Sequence, residues 1–338
     1  MDLFTQSYKK KFFFLVLIIV ELLLFSLAII LAIQILNISQ TKVKGVQNIV
    51  VIKKRDLEFS TDSGNLKYFY EPKPNNIIED KANWLQYEVK HTINNDGLNE
   101  RYDYDLQKRD NYRIITLGDS FTYGQYVNTA ENYPETLEDL LNNKIQCKNK
   151  NTKHYEVLNL GVPGYDVEYS VERFIKRGIK YNPDLIVWLI NDWNFHNINE
   201  YIIPLREKLE REGIPSFDEA SRTYLATNVA LQELDNKLGR QELINYSKKA
   251  LLKFINYYNN KLLIVVFPTM NNVKKKIIQD LLRFNPNFYY TEISSVWDNE
   301  DYLLYDKHPN KEGHKKIAED IFNYLRQNMF SNCHAISN

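Results

Sequence analysis

The sequence predicts an α/β domain built on a parallel sheet and preceded by one transmembrane helix. Three observations carry this reading. Five short apolar runs between residues 113 and 293 are separated by stretches of helical character, the alternation that a parallel sheet with crossover helices produces. Residues 12–36 form an almost unbroken apolar run. Near the C-terminus Ile317, Ile321 and Leu325 repeat at a spacing of four, marking an amphipathic helix that closes the domain.

The 25 residues from Phe12 to Leu36 would extend about 37 Å as a helix, enough to cross a hydrocarbon core of roughly 30 Å with some tilt. Glu21 is the one charge in the run, and the surrounding Leu, Ile and Phe outweigh its insertion cost. Lys9 to Lys11 and the small residues Ser26 and Ala28 also fit a cleavable signal peptide. Ile29 to Leu36 continues the apolar run past that point, which favours an uncleaved anchor. Lysines precede the span, but Lys42, Lys44, Lys53, Lys54 and Arg55 follow it, so charge does not decide orientation.

Residues 37–110 read as a linker and accessory strands, with short apolar pieces such as Ile49 to Ile52 between polar stretches. The main domain spans 111–330, and 331–338 form a tail. Its predicted strands are Arg113 to Leu117, Tyr155 to Leu160, Leu185 to Ile190, Leu262 to Phe267 and Phe288 to Ile293, each short and apolar, as in a sheet covered on both faces. Pro134 suits a first helical turn, after which Leu137, Leu140 and Leu141 share one face. Asn310 is placed to cap the closing helix. Residues 194–258 exceed one crossover helix and read as a helical insertion over the sheet, able to form a lid. Lys274 to Lys276 read as a solvated helix face.

Composition narrows the function classes. Lys plus Arg and Asp plus Glu each total 43, which leaves no basic footprint for nucleic acid. The two cysteines, Cys147 and Cys333, cannot form a zinc-ligand pattern, although they could pair with each other. With 24 Tyr and 17 Phe the chain has ample material for a packed core.

The chemistry gathers at the strand ends. The first strand runs into Gly118-Asp119-Ser120, which sets a hydroxyl at the C-terminal edge of the sheet, where open α/β folds bind ligands. The second ends in Asn159-Leu160-Gly161-Val162-Pro163-Gly164 and the third in Asn191-Asp192, so glycine N–H groups and an Asn amide reach the same edge as possible oxyanion donors. A Ser hydroxyl needs a base, and that base needs an acid to hold its tautomer. Of the six His, His308 best meets the requirement: it lies between the last strand and the closing helix, with Asp306 two residues before it. His154 falls on the opposite edge, His196 could line the pocket, and His314 lies inside the helix as a structural residue.

These segments together resemble the sequence blocks of the SGNH/GDSL hydrolase family. Gly118-Asp119-Ser120 resembles the nucleophile block, Gly164 the oxyanion glycine, Asn191-Asp192 the third block, and Asp306 with His308 the last block. The resemblance implies a flavodoxin-like three-layer α/β/α sandwich. It also implies a Ser120-His308-Asp306 triad, an oxyanion hole formed by Ser120, Gly164 and Asn191, and acyl transfer with no metal or organic cofactor. Leu189 stands where the family usually has Gly, and Asp306 lies two rather than three residues before the His, an arrangement similar to the branch that acetylates bacterial polysaccharides. The implied function is that of a serine esterase acting on O-acyl esters of cell-envelope glycans, with residues 1–11 cytoplasmic and the catalytic domain outside the membrane. Two alternatives remain open: a polysaccharide O-acetyltransferase with the same triad, and a non-catalytic anchored scaffold that binds a glycan or a protein.

Overall fold

The computed structural model describes residues 59–60, 66–80, 82, 84–146, 154–214, 219–294, 299–330 and 334–335. The transmembrane expectation for residues 12–36 and the possible pairing of Cys147 with Cys333 lie outside the described residues.

Five parallel strands form the central sheet: β5 (Tyr112–Leu117), β7 (Tyr155–Asn159), β8 (Leu185–Ile190), β9 (Lys261–Val266) and β10 (Phe288–Glu292). Before them come the short strands β1 (Phe59–Ser60) and β2 (Glu71–Pro72) and the antiparallel hairpin of β3 (Asn76–Asp80) and β4 (Val89–Ile93). β6 (Ile145–Gln146) pairs antiparallel with β11 (His334–Ala335). The central sheet runs β10-β9-β8-β5-β7. The chain therefore leaves β5 on one side and returns on the other, and β5 and β8 flank a topological switch point.

Each predicted core strand is present to within a residue at either end. Alternate residues serve opposite layers. Ile115, Leu117 and Trp188 face a cluster with Val171 of α3 (Val167–Arg173), Phe174 just past that helix, Leu251 and Phe254 of α6 (Arg240–Tyr257), and Ile278 of α7 (Asn272–Leu282). Ile114, Val187 and Leu189 face the other layer, with Leu137 and Leu141 of α2 (Tyr133–Lys144) and Ile317, Ile321 and Leu325 of α9 (Lys311–Asn328). This is the three-layer arrangement that the resemblance implied. Asn310 caps α9 by accepting from Gly313 N at 2.9 Å, and Pro134 lies in the first turn of α2.

The 194–258 region divides differently from the expectation. Its last helix, α6, is the crossover between β8 and β9, and its buried face belongs to the sheet core. Only α4 (Asn199–Arg211) and α5 (Glu219–Leu238) are extra, and they share a separate cluster with Leu243, built on Ile198, Tyr201, Ile202, Ala230 and Leu234. Periodicity alone could not tell which of three amphipathic helices the sheet would take. The segment from Leu66 onward is tied to the domain by charge. Glu71, fully buried, pairs with Arg173 and Arg177, and Arg173 also donates to the Gly97 carbonyl. Removing one partner would strand a buried charge, so this attachment is demanding as well as firm.

Candidate active site

The loop that carries Ser120 is fixed by sterics at its first residue. Gly118 has φ +153°, and a Cβ there would lie 2.2 Å from Thr122 Oγ1 and 2.9 Å from Leu189 O, so no other residue fits the exit from β5. Asp119 then caps the four-residue helix α1 (Ser120–Tyr123), with its Oδ1 accepting from Phe121 N at 3.0 Å. Ser120 is thereby held in the first helical turn at the C-terminal edge of the sheet.

Two segments far apart in sequence meet there. His308 Nε2 lies 2.8 Å from Ser120 Oγ, and His308 Nδ1 lies 2.8 Å from Asp306 Oδ2. The same carboxylate accepts the His308 backbone N–H through Oδ1 at 3.1 Å. An Nδ1–H donating to Asp306 leaves Nε2 free to accept the serine proton. Asp306 can reach back over a single intervening residue because Lys307 takes φ +71°, with Lys307 N bonded to Leu304 O and Leu304 N to His308 O. Side-chain exposures of 21% for His308 and 25% for Asp306 leave the site open to a ligand.

Behind Ser120 an amide network joins three loops. Asp119 Oδ2 accepts from Asn191 Nδ2 at 2.8 Å and from Asn194 Nδ2 at 3.0 Å, and Asn194 Nδ2 also donates to Tyr165 O at 2.7 Å. Asn191 and Asn194 exchange backbone-to-side-chain bonds, Asn191 N to Asn194 Oδ1 at 2.8 Å and Asn194 N to Asn191 Oδ1 at 3.2 Å. Burial pushes the Asp119 carboxyl pKa up, and the N–H donors from Phe121, Asn191 and Asn194 oppose that rise. Asn194 is absent from the sequence reading; its only signal is the Asn-x-x-Asn spacing, common to many turns. Leu189, the departure from the family pattern, is buried on the face away from these amides and leaves the reciprocal Asn191–Asn194 bonds intact.

The Gly164 loop is oriented by its carbonyls. Tyr70 Oη donates to Pro163 O at 2.6 Å, and Asn199 Nδ2 donates to Gly164 O at 2.8 Å. In a trans peptide the N–H points opposite the C=O, so fixing the Pro163 carbonyl also fixes the direction of the Gly164 N–H. Gly164 has φ +80°, and an added Cβ would lie 2.8 Å from Tyr70 Oη. Tyr70 comes from the accessory segment, which sequence reasoning had no means of assigning to the site.

The remaining histidines fall outside this relay. His314 is fully buried, accepts from Tyr133 N through Nδ1 at 3.2 Å, and has its pKa pushed down to about 3 by burial, which fits its structural assignment. His154 is at the opposite edge, near Asn142. His196 Nδ1 lies 2.7 Å from Asp192 O and 3.0 Å from Lys274 Nζ, and burial followed by the neighbouring Lys274 charge lowers its pKa. Lys274 corrects the reading of 274–276 as a solvated face: it is fully buried, with Nζ 2.8 Å from Asp192 Oδ1, because α7 packs that position against the loop after β8.

Residues 114–321 match the profile of the GDSL-like lipase/acylhydrolase family. No curated protein matches the chain. Among solved structures it is similar to a lipolytic protein of the G-D-S-L family from Desulfitobacterium hafniense, at 16% identity over 64% of this chain and 100% of that one, with a TM-score of 0.39. It is also similar to a psychrotrophic esterase from Pseudoalteromonas sp., at 13% identity over 64% and 98% of the two chains, TM-score 0.39. A third is the lipase/acylhydrolase from Enterococcus faecalis, at 14% identity over 64% and 96%, TM-score 0.40.

Proposed function

The chain belongs to the GDSL-like lipase/acylhydrolase family, hydrolases of ester bonds, and on that premise we propose that it is a serine esterase using Ser120, His308 and Asp306. The observation that carries the proposal is the continuous relay from Ser120 Oγ through both ring nitrogens of His308 to Asp306, with both links at 2.8 Å.

The geometry supports the following chemistry. His308 Nε2 takes the Ser120 proton as Oγ attacks the ester carbonyl, and Asp306 stabilises the imidazolium that results. The N–H groups of Ser120 and Gly164 and the second hydrogen of Asn191 Nδ2 receive the oxyanion. The protonated imidazole then passes its proton to the leaving alkoxide, and water repeats the sequence on the acyl-enzyme. Asp119 stays out of the proton transfers and braces the donors.

The proposed substrates are O-acyl esters of cell-envelope glycans. One feature supports this part of the reading: the apolar run 12–36, which suits a membrane anchor at the cell envelope. The Asp306-Lys307-His308 spacing, similar to that of the branch that acetylates bacterial polysaccharides, supports a second reading, transfer of the acyl group to a sugar hydroxyl, in which only the final acceptor differs. A fluorophosphonate probe on the full chain tests the shared mechanism. The expected result is one covalent adduct on Ser120, lost in Ser120→Ala and slowed in His308→Ala; labelling elsewhere, or none, refutes it.

A further inference from the structure

Around His308 stands a wall of rings contributed by three separate segments. Tyr126, just past the nucleophile helix, meets the imidazole edge-on at 5.3 Å, and Phe121 meets it at 5.4 Å. Trp84, from the loop between β3 and β4, packs edge-on against Tyr126 at 4.9 Å and lies 6.3 Å from Tyr305. Tyr305 immediately precedes the acid Asp306 and is 85% exposed. The accessory hairpin sets this wall in place: Tyr87 Oη donates to Tyr126 O at 3.3 Å, and Asp80 Oδ2 accepts from Tyr126 N at 3.3 Å. Tyr126 itself sits at φ +68°, a conformation unfavourable for a tyrosine and kept here by its surroundings.

Beside the wall lies a cavity of about 350 Å³ whose lining includes Glu79, Asp80, Leu85, Gln86, Tyr87 and Glu88. Its polar groups are chiefly acceptors. Glu131, whose Oε1 pairs with Lys311 at 3.0 Å, and Asp306 add further carboxylates near Tyr87. An exposed ring face flanked by carboxylates suits a ligand with one apolar face and a rim of hydroxyl donors. A fatty acyl chain would desolvate those carboxylates without replacing their hydrogen bonds, and a uronic acid would be repelled by them.

We propose that Trp84, Tyr126 and Tyr305, with the adjoining carboxylate-lined cavity, form a subsite for a pyranose ring of an uncharged glycan whose O-acyl group is presented to Ser120. The ring stacks by its C–H face on Trp84 or Tyr305, and its hydroxyls donate to the carboxylates of the hairpin loop. This inference rests on the serine-esterase reading and adds the residues that select the alcohol half of the ester.

The test compares O-acetylated cello- and chito-oligosaccharides with 4-nitrophenyl acetate, using the full chain. In Trp84→Ala, and separately in the exposed Tyr305→Ala, the ratio of kcat/KM on the oligosaccharides to that on the aryl ester should fall about tenfold, mostly through KM. Phe284→Ala, which removes another exposed ring, placed just before the start of β10 at the opposite edge of the sheet, should leave the ratio unchanged. Equal losses on both substrates would overturn the subsite, as would a wild-type protein that cleaves the aryl ester but no oligosaccharide, or that prefers an O-acetylated polyuronate. If the wild type cleaves neither class, the esterase reading has failed. Binding of the deacetylated oligosaccharides followed by tryptophan fluorescence then decides the subsite: a signal lost in Trp84→Ala supports it, and no signal in the wild type overturns it.

Discussion

Tyr70→Phe removes one oxygen from the accessory segment and tests whether that segment takes part in catalysis. The ring should stay in place, because its edge-on contact with Tyr165 at 5.3 Å does not involve the hydroxyl. That hydroxyl donates to Pro163 O at 2.6 Å, and a bond of this kind contributes a net value of about 0.5–1.5 kcal/mol. Its loss releases the peptide that aims the Gly164 N–H, while Asn199 still holds the following carbonyl. A complete loss of one oxyanion donor lowers kcat by about 10²- to 10³-fold. Weakening its orientation by about 1 kcal/mol should cost about fivefold, with KM nearly unchanged, because the bond concerned forms mainly in the transition state. Steady-state kinetics with 4-nitrophenyl acetate measures this, and a thermal melt confirms that the variant is folded. An unchanged kcat in a folded Tyr70→Phe protein would refute the orienting role, and so would an effect confined to KM.

Asp306→Asn should reduce kcat by about 10⁴-fold, since an amide NH₂ donating to Nδ1 forces the proton onto Nε2, where it blocks acceptance from Ser120; aryl-ester turnover across pH reads the effect. Asn191→Ala should lower kcat by about 10²- to 10³-fold and also reduce stability by about 1–3 kcal/mol, because Asp119 loses a donor inside the core; an unchanged kcat would restrict Asn191 to bracing the loop. Glu138 is buried, and burial, aided by the neighbouring Glu135, raises its pKa to about 7 although it accepts from Val157 N at 2.7 Å. Folded chains therefore keep this proton at pH values where unfolded chains have lost it, so the contribution is full below about pH 4.5 and fades as pH rises toward 7. Urea midpoints should fall across that window, and Glu138→Gln should flatten the fall; an equal slope in both proteins would place the proton elsewhere.

How much of this was legible follows from the range of each interaction. The β5, β8 and β9 strands could be read because burial on both faces writes itself as a local apolar run. That Ser120, His308 and Asp306 would meet was legible because the roles proposed for them, nucleophile, base and acid, each call for a particular residue type at a strand end or loop. The Glu71 pairs with Arg173 and Arg177 could not, since partners more than a hundred residues apart leave no local pattern. Trp84 and Tyr70 were hidden for the same reason, in a stretch whose short strands have little periodicity. The burial of Lys274 was misread because three consecutive lysines look alike until one of them meets Asp192 across the sheet edge.

The Asp306-Lys307-His308 turn bears on how this protein could be switched off. Acid and base are ordered by bonds within one three-residue turn, so their mutual alignment is a local property, carried wherever the turn goes. Ser120 is ordered by its own cap. To join the three, the fold has to supply one long-range contact, the 2.8 Å approach of His308 Nε2 to Ser120 Oγ across 188 residues of sequence. A small opening of the stretch between α8 (Asn299–Tyr302) and α9 would break that contact while the sheet and both helical layers stayed folded. Loss of activity on warming should then precede global melting, and turnover becomes a gauge of how tightly that one stretch stays closed.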